Sequence, residues 1–97
     1  MEIQHQDDGK KGRYYIADNG EQLAEMTYVW VGEDKFIIDH TEVDERLKGQ
    51  GVGLKLVKAA VEMARERKVG IIPLCPFAKS VFDKKEEFRD VLAANPR

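Results

Sequence analysis

Apolar and polar residues alternate with a period of two through the first half of the chain, and past Gly51 the period becomes that of a helix. Residues 2–6 alternate enough for a short first strand, and Asp7-Asp8-Gly9-Lys10-Lys11-Gly12 is a turn by composition. Residues 13–17 carry Tyr14, Tyr15 and Ile16, which suit a pleated, half-buried surface, and Asp18-Asn19-Gly20 then reverses the chain. A third strand over 23–31 puts Ala24, Met26, Tyr28 and Trp30 on one face and Leu23, Glu25, Thr27, Val29 and Val31 on the other. After Gly32-Glu33-Asp34, a fourth strand over 35–43 places Phe36, Ile38, His40 and Glu42 together, opposite Ile37, Asp39, Thr41 and Val43. Short turns between successive strands predict an antiparallel meander.

From Gly51 to about Lys68, Leu54, Val57, Val61 and Ala64 form one apolar stripe with Leu56, Ala60 and Met63 beside it. Charged residues hold the opposite side. The cations of Arg65-Glu66-Arg67-Lys68 suit the negative end of a helix, and Val69-Gly70 lets the chain leave it. Ile71-Ile72-Pro73-Leu74-Cys75 is a short apolar strand, parallel to the fourth by its strand-helix-strand order and at an edge because Pro73 lacks a donor. Pro76 suits the first position of a helix that buries Phe77, Val81 and Phe82. Residues 84–92 read as helical too, anchored by Phe88, Val91 and Leu92, with Lys84-Lys85-Glu86-Glu87 as an exposed face and residues 95–97 as a fraying end.

At 97 residues, 42% hydrophobic and 35% charged, the chain has the size and composition of one small globular domain, spanning 1–97. A net charge of −2 gives no electrostatic support for nucleic-acid binding, and no apolar run is long enough to cross a membrane. The opening residues lack the basic and apolar regions of a signal peptide, so a cytoplasmic location is expected. Cys75, the single cysteine, is expected as a free thiol, which suits a reducing compartment. A monomer or weak dimer is the expected state.

The chemistry concentrates between the fourth strand and the long helix, in Arg46-Leu47-Lys48-Gly49-Gln50-Gly51-Val52-Gly53. Glycines there allow positive φ and let a ligand approach the main chain, and the helix start adds outward amides at the positive end of its dipole. That is a site for phosphate, with Arg46 and Lys48 as candidate side-chain contacts on charge alone. A Walker loop fails, because Gly53 is followed by Leu54-Lys55 rather than Lys-Ser/Thr. A dinucleotide fingerprint is weak, because the glycines recur with period two.

Lys48-Gly49-Gln50-Gly51-Val52-Gly53 resembles the acetyl-CoA loop of the GNAT acetyltransferases, Arg/Gln-x-x-Gly-x-Gly/Ala, with Lys48 departing at the first position. Asp39-His40-Thr41-Glu42-Val43 ahead of the loop and the Cys75-Pro76-Phe77 motif after the helix make the chain similar to the small stand-alone GNAT-like group. The resemblance covers residues 3–92. It implies an α+β fold with a GNAT-like (acyl-CoA N-acyltransferase) core, an antiparallel meander followed by β-α-β-α, with the N-terminal helices absent. It implies acetyl-CoA or coenzyme A as co-substrate, no metal, and an amine acceptor. Carried over, residues 48–53 hold the pyrophosphate, and Thr41, Glu42 and Val43 flank the pantetheine arm.

Acetyl transfer needs an amine freed of its proton, a stabilised oxyanion and a protonated leaving thiolate. Many GNAT enzymes place a tyrosine acid after the fifth strand. Here that stretch reads Pro76-Phe77-Ala78-Lys79, and the tyrosines all lie at residue 28 or earlier. Cys75 stands in its place, as an acid or as an acyl carrier, with a buried structural cysteine as the other reading. His40 and Glu42, two apart on one strand, are candidates for base or proton relay, against a purely structural polar pair. His5 reads as solvated, and Tyr28 with Trp30 as core. The expectation is an N-acetyltransferase, with a non-catalytic CoA-binding or acyl-CoA-sensing module as alternative and a protein-interaction domain as a third reading.

Overall fold

Three reversals fold the first half of the chain into the expected meander, the tightest at Asn19-Gly20, where φ is 53° and 79° as a two-residue hairpin requires. A computed structural model describes residues 2–93, so the expectation for 95–97 lies outside the described residues. The strands are β1 (Gln4–Asp7), β2 (Lys11–Asp18), β3 (Glu21–Val31) and β4 (Lys35–Val43). A 3-10 turn, Glu45–Leu47, leads to α1 (Val52–Arg67), β5 (Gly70–Pro73) and α2 (Pro76–Lys84), and a 3-10 segment, Glu86–Val91, closes the described chain. The sheet order is β1-β2-β3-β4-β5, antiparallel except that β5 runs parallel to β4 at the edge.

Two bulges change the faces that simple alternation assigns. In the β2–β3 pair Ile16 faces Ala24 and Ala17 faces Gln22, so Leu23 is the extra residue and both Leu23 and Ala24 are buried. In the β3–β4 pair Thr27 faces His40 and Tyr28 faces Ile38, which leaves Asp39 unpaired and shifts the phase of β4 by one. Thr41 and Val43, opposite Met26 and Ala24, therefore share the core face with Phe36 and Ile38. His40 and Glu42, opposite Thr27 and Glu25, lie on the outer face. The sequence expectation that His40 and Glu42 share a face with Phe36 is corrected on this point.

α1 covers the core face with Leu56, Val57, Ala60, Val61 and Ala64, each fully buried. Each buried leucine or valine of this set contributes about 1.5–3 kcal/mol, so the helix is held by packing more than by its ends. α2 joins the same core through Ala78, Val81 and Phe82. Among the described residues no helix packs on the outer face. Residues 84–92, expected as helix, leave that geometry at Lys85 (φ −110°, ψ 89°) and continue as 3-10 turns. The cause is local: Arg89 donates to the carbonyls of Phe82 (2.9 Å) and Asp83 (2.6 Å) and folds the chain back over the end of α2.

At the far side of the sheet the Tyr28 hydroxyl donates to Asp7 (2.6 Å) and lies 2.6 Å from His5 Nε2, while Trp30 Nε1 donates to the same carboxylate (2.9 Å). His5 also stacks on Tyr14 at 4.1 Å. It is exposed as expected, yet engaged. Beyond β5, Ala93 N–H donates to the Ile71 carbonyl (2.9 Å), and Leu92 bridges the same strand.

Candidate active site

The loop after β4 takes the form its glycines predict, with Gly49 at φ 82° and Gly51 at φ 69°. Gly51 caps α1 without a side-chain hydrogen bond, and the first turn holds no acidic residue. Among the described residues no side chain caps that helix end, which leaves it open to an anion. Gly53 has a different reason: a Cβ there would meet the Phe77 ring, with Cε2 at 2.7 Å. Its lack of a side chain lets α2 close against α1. Between loop and α2 lies a groove of about 370 Å³, walled by Val43, Leu47 and Val52 on one side and by Phe77 and Val81 on the other.

Past Ile38, the last residue paired with β5, β4 continues to Val43 with that edge unpaired. Leu74 N and Cys75 N both turn to the Ile38 carbonyl (3.0 Å each), so the two strands part here. Cys75, 5% exposed, caps α2, and its Sγ lies 3.3 Å from Thr41 Oγ1 on the open stretch of β4. An open backbone edge, a thiol and an uncapped helix start therefore adjoin one groove. A larger hollow, about 570 Å³ on the outer face, holds polar groups already paired with one another: Arg13 with Glu25 at 2.9 Å, and Thr27 with Asp39 at 2.5 Å.

The family model of the GCN5-related N-acetyl-transferases matches residues 13–91. The chain belongs to this family. An NMR structure of a GCN5-like protein from Staphylococcus aureus, provisionally assigned as an N-acetyltransferase, is 42% identical, with a TM-score of 0.76 over 99% of this chain and 91% of that one. The ribosomal-protein-alanine N-acetyltransferase of Brucella melitensis biovar Abortus 2308 is 17% identical, with a TM-score of 0.63 over 93% of this chain and 67% of that one. A GNAT acetyltransferase from Elizabethkingia anophelis, solved with acetyl-CoA bound, is 16% identical, with a TM-score of 0.61 over 79% and 53%. These last two share the fold. No curated protein sequence matches the chain.

Of the GNAT loop residues named from sequence, Val43, Gly49, Gly51, Val52 and Gly53 line the groove. Thr41 stands against Cys75, and Gln50 turns back to the Arg46 carbonyl at 3.4 Å. Arg46 and Lys48, chosen on charge, do not line the groove. Arg46 forks onto Glu21 (2.8 and 3.2 Å) and onto Asp44 (3.0 and 3.1 Å), pinning the 3-10 turn to the start of β3. Hydrogen bonds from Arg46 hold Asp44 down to about 2 and lower Glu21, while Asp44 first and Glu21 second push the guanidinium upward. Lys48 faces Glu45 at 3.9 Å.

Cys75 and the His40–Glu42 pair are not brought together. The imidazole Nε2 lies 3.7 Å from the Glu42 carboxylate on the outer face, whereas Cys75 belongs to the core side. They lie on opposite faces of β4. Lys84, exposed as expected, and the half-buried Lys85 also line the groove. The signal that would have found them is their place seven and eight residues after Phe77, on the stripe of α2 that turns toward the loop. Among the described residues, no cluster of His, Cys, Asp and Glu is arranged for a metal ion and no helix is long and apolar enough to cross a membrane.

Proposed function

We propose that the protein is an N-acetyltransferase that takes its acetyl group from acetyl-CoA and passes it to an amine. The observation that carries this reading is the glycine loop lining one groove, with the open β4 edge running from its Val43 wall back to Thr41, where Cys75 stands. Acetyl-CoA bound to the Elizabethkingia anophelis relative supports the choice of co-substrate. The first-turn amides of α1 receive the pyrophosphate, and the unpaired edge of Thr41, Glu42 and Val43 hydrogen-bonds the pantetheine arm. The thioester then arrives where β4 and β5 part.

The acceptor amine enters the gap from the outer face and gives its proton there to His40, which Glu42 faces at 3.7 Å. Two chemistries fit Cys75, and Thr41 orients the sulfur in both. As carrier, its thiolate attacks the acetyl carbonyl and expels the CoA thiolate; the amine then attacks the new thioester and releases Cys75. As acid, its S–H protonates the CoA sulfur while the amine attacks acetyl-CoA directly. Incubation with acetyl-CoA separates them. A hydroxylamine-sensitive acetyl adduct, absent in Cys75→Ala, is expected for the carrier; without an adduct the acid role or a purely structural one remains.

A CoA-sensing module with little turnover is the second reading, favoured by the 5% exposure of Cys75 and by tyrosines confined to β2 and β3. An amide-resolved NMR titration with CoA and then acetyl-CoA tests what both readings share. We expect shifts concentrated over residues 41–53 and around Cys75; their absence at millimolar ligand would overturn both. Amine acetylation that survives Cys75→Ala would remove the sulfur from either mechanism.

A further inference from the structure

The face of α2 turned toward the glycine loop reads Phe77, Ser80, Val81 and Lys84, the spacing of a single helical stripe, and Lys85 follows at the helix end. Seven residues of α-helix span about 10 Å. The wall that α2 gives the groove therefore has direction, from the helix start that Cys75 caps to the two ammonium groups at the helix end. Among the described residues neither Lys84 nor Lys85 forms an ion pair, whereas Arg46 is held by two carboxylates and Lys48 leans on Glu45. The free positive charge of the groove lies on α2, not on the loop.

We propose that Lys84 and Lys85 form a second phosphate subsite that reads the 3′-phosphate on the adenosine of CoA. The inference rests on the CoA reading of the groove. With the acyl end at Cys75 and the pyrophosphate on the start of α1, the nucleotide continues toward the end of α2. The next ionised group along the ligand is the 3′-phosphate dianion, and it meets two adjacent cations. The carbonyl end of α2 holds those cations in place before the ligand arrives. The subsite makes the protein selective for CoA over dephospho-CoA, which differs by that one phosphate.

Calorimetric titration of the full chain with CoA and with dephospho-CoA tests this directly. CoA is expected to bind about tenfold tighter, a gap that shrinks with added salt. In the double variant Lys84→Gln/Lys85→Gln the ratio should fall to about one while affinity for dephospho-CoA is kept. Equal affinities in the unaltered protein would overturn the subsite and leave the CoA reading intact, as would a ratio that survives both substitutions. Binding of neither ligand would overturn the CoA reading and the subsite with it. The comparison in the unaltered protein needs no variant, so a double variant that failed to fold would not remove the test.

Discussion

A Cβ on Gly12 would meet the Tyr28 hydroxyl and lie 2.6 Å from the Gln6 carbonyl oxygen. Neither neighbour can yield freely: Tyr28 is fully buried and tied to Asp7, and the carbonyl is main chain. Gly12→Ala is therefore expected to destabilise the fold by about 1–3 kcal/mol, read as a lower urea midpoint. An unchanged midpoint would mean that β1 is not seated against Tyr28 as closely as this contact implies. From sequence Gly12 reads as a turn residue, because the atoms that exclude its side chain belong to other strands. The same holds for Gly53, whose reason is the Phe77 ring, and for Arg46, whose partner Glu21 is 25 residues away. Gly49 and Gly51 were legible because their requirement is a local backbone angle.

Among the elements, the strands and α1 follow from periodicity, the parallel placement of β5 from the strand-helix-strand order, and its edge position from Pro73. What alternation misses is phase. A bulge at Asp39 adds a residue without disturbing a polar run such as His40-Thr41-Glu42, so the sequence does not reveal that these residues have changed sides. Lys84 and Lys85 were missed for a related reason: a helical stripe shows spacing, but only tertiary contact says which stripe meets the loop. The exit of α1 offers a test at this scale. Its left-handed closing residue is Lys68 (φ 59°), not Gly70, which is small because Ala93 packs 3.0 Å from where its Cβ would stand. Lys68→Gly should relieve the left-handed strain and, net of the added chain entropy, stabilise the protein by about 0.5–1 kcal/mol. Thermal unfolding would show this as a raised midpoint, and a lowered one would mean that the lysine stem contributes more by packing than its geometry takes away.

For the whole molecule, the network at β1 sets how stability responds to acid. Burial lowers the His5 pKa from 6.5, with Asp7 pulling against it. Burial raises that of Asp7, but hydrogen bonds from Tyr28, Trp30 and the Gly9 amide outweigh it and bring it below 3.8. Both groups bind protons less readily folded than unfolded, so their contribution is complete above the unfolded values and is lost as pH falls through the folded ones. Urea midpoints should begin to fall below about pH 6.5, and again below about pH 4 as Asp7 and the carboxylates around Arg46 and Arg65 protonate. His5→Phe, which keeps an aromatic ring over Tyr14, should remove the first decline; a first decline that persisted would exclude His5 as its source. The far edge of the sheet carries a different consequence. A foreign strand arriving at β5 would have to displace Leu92 and Ala93 from Ile71, and would then meet Pro73, which has no N–H to give. The molecule thus carries its own stopper beyond β5, and the parting of β4 and β5 can stay available to a ligand without inviting a second copy to zip the sheets together.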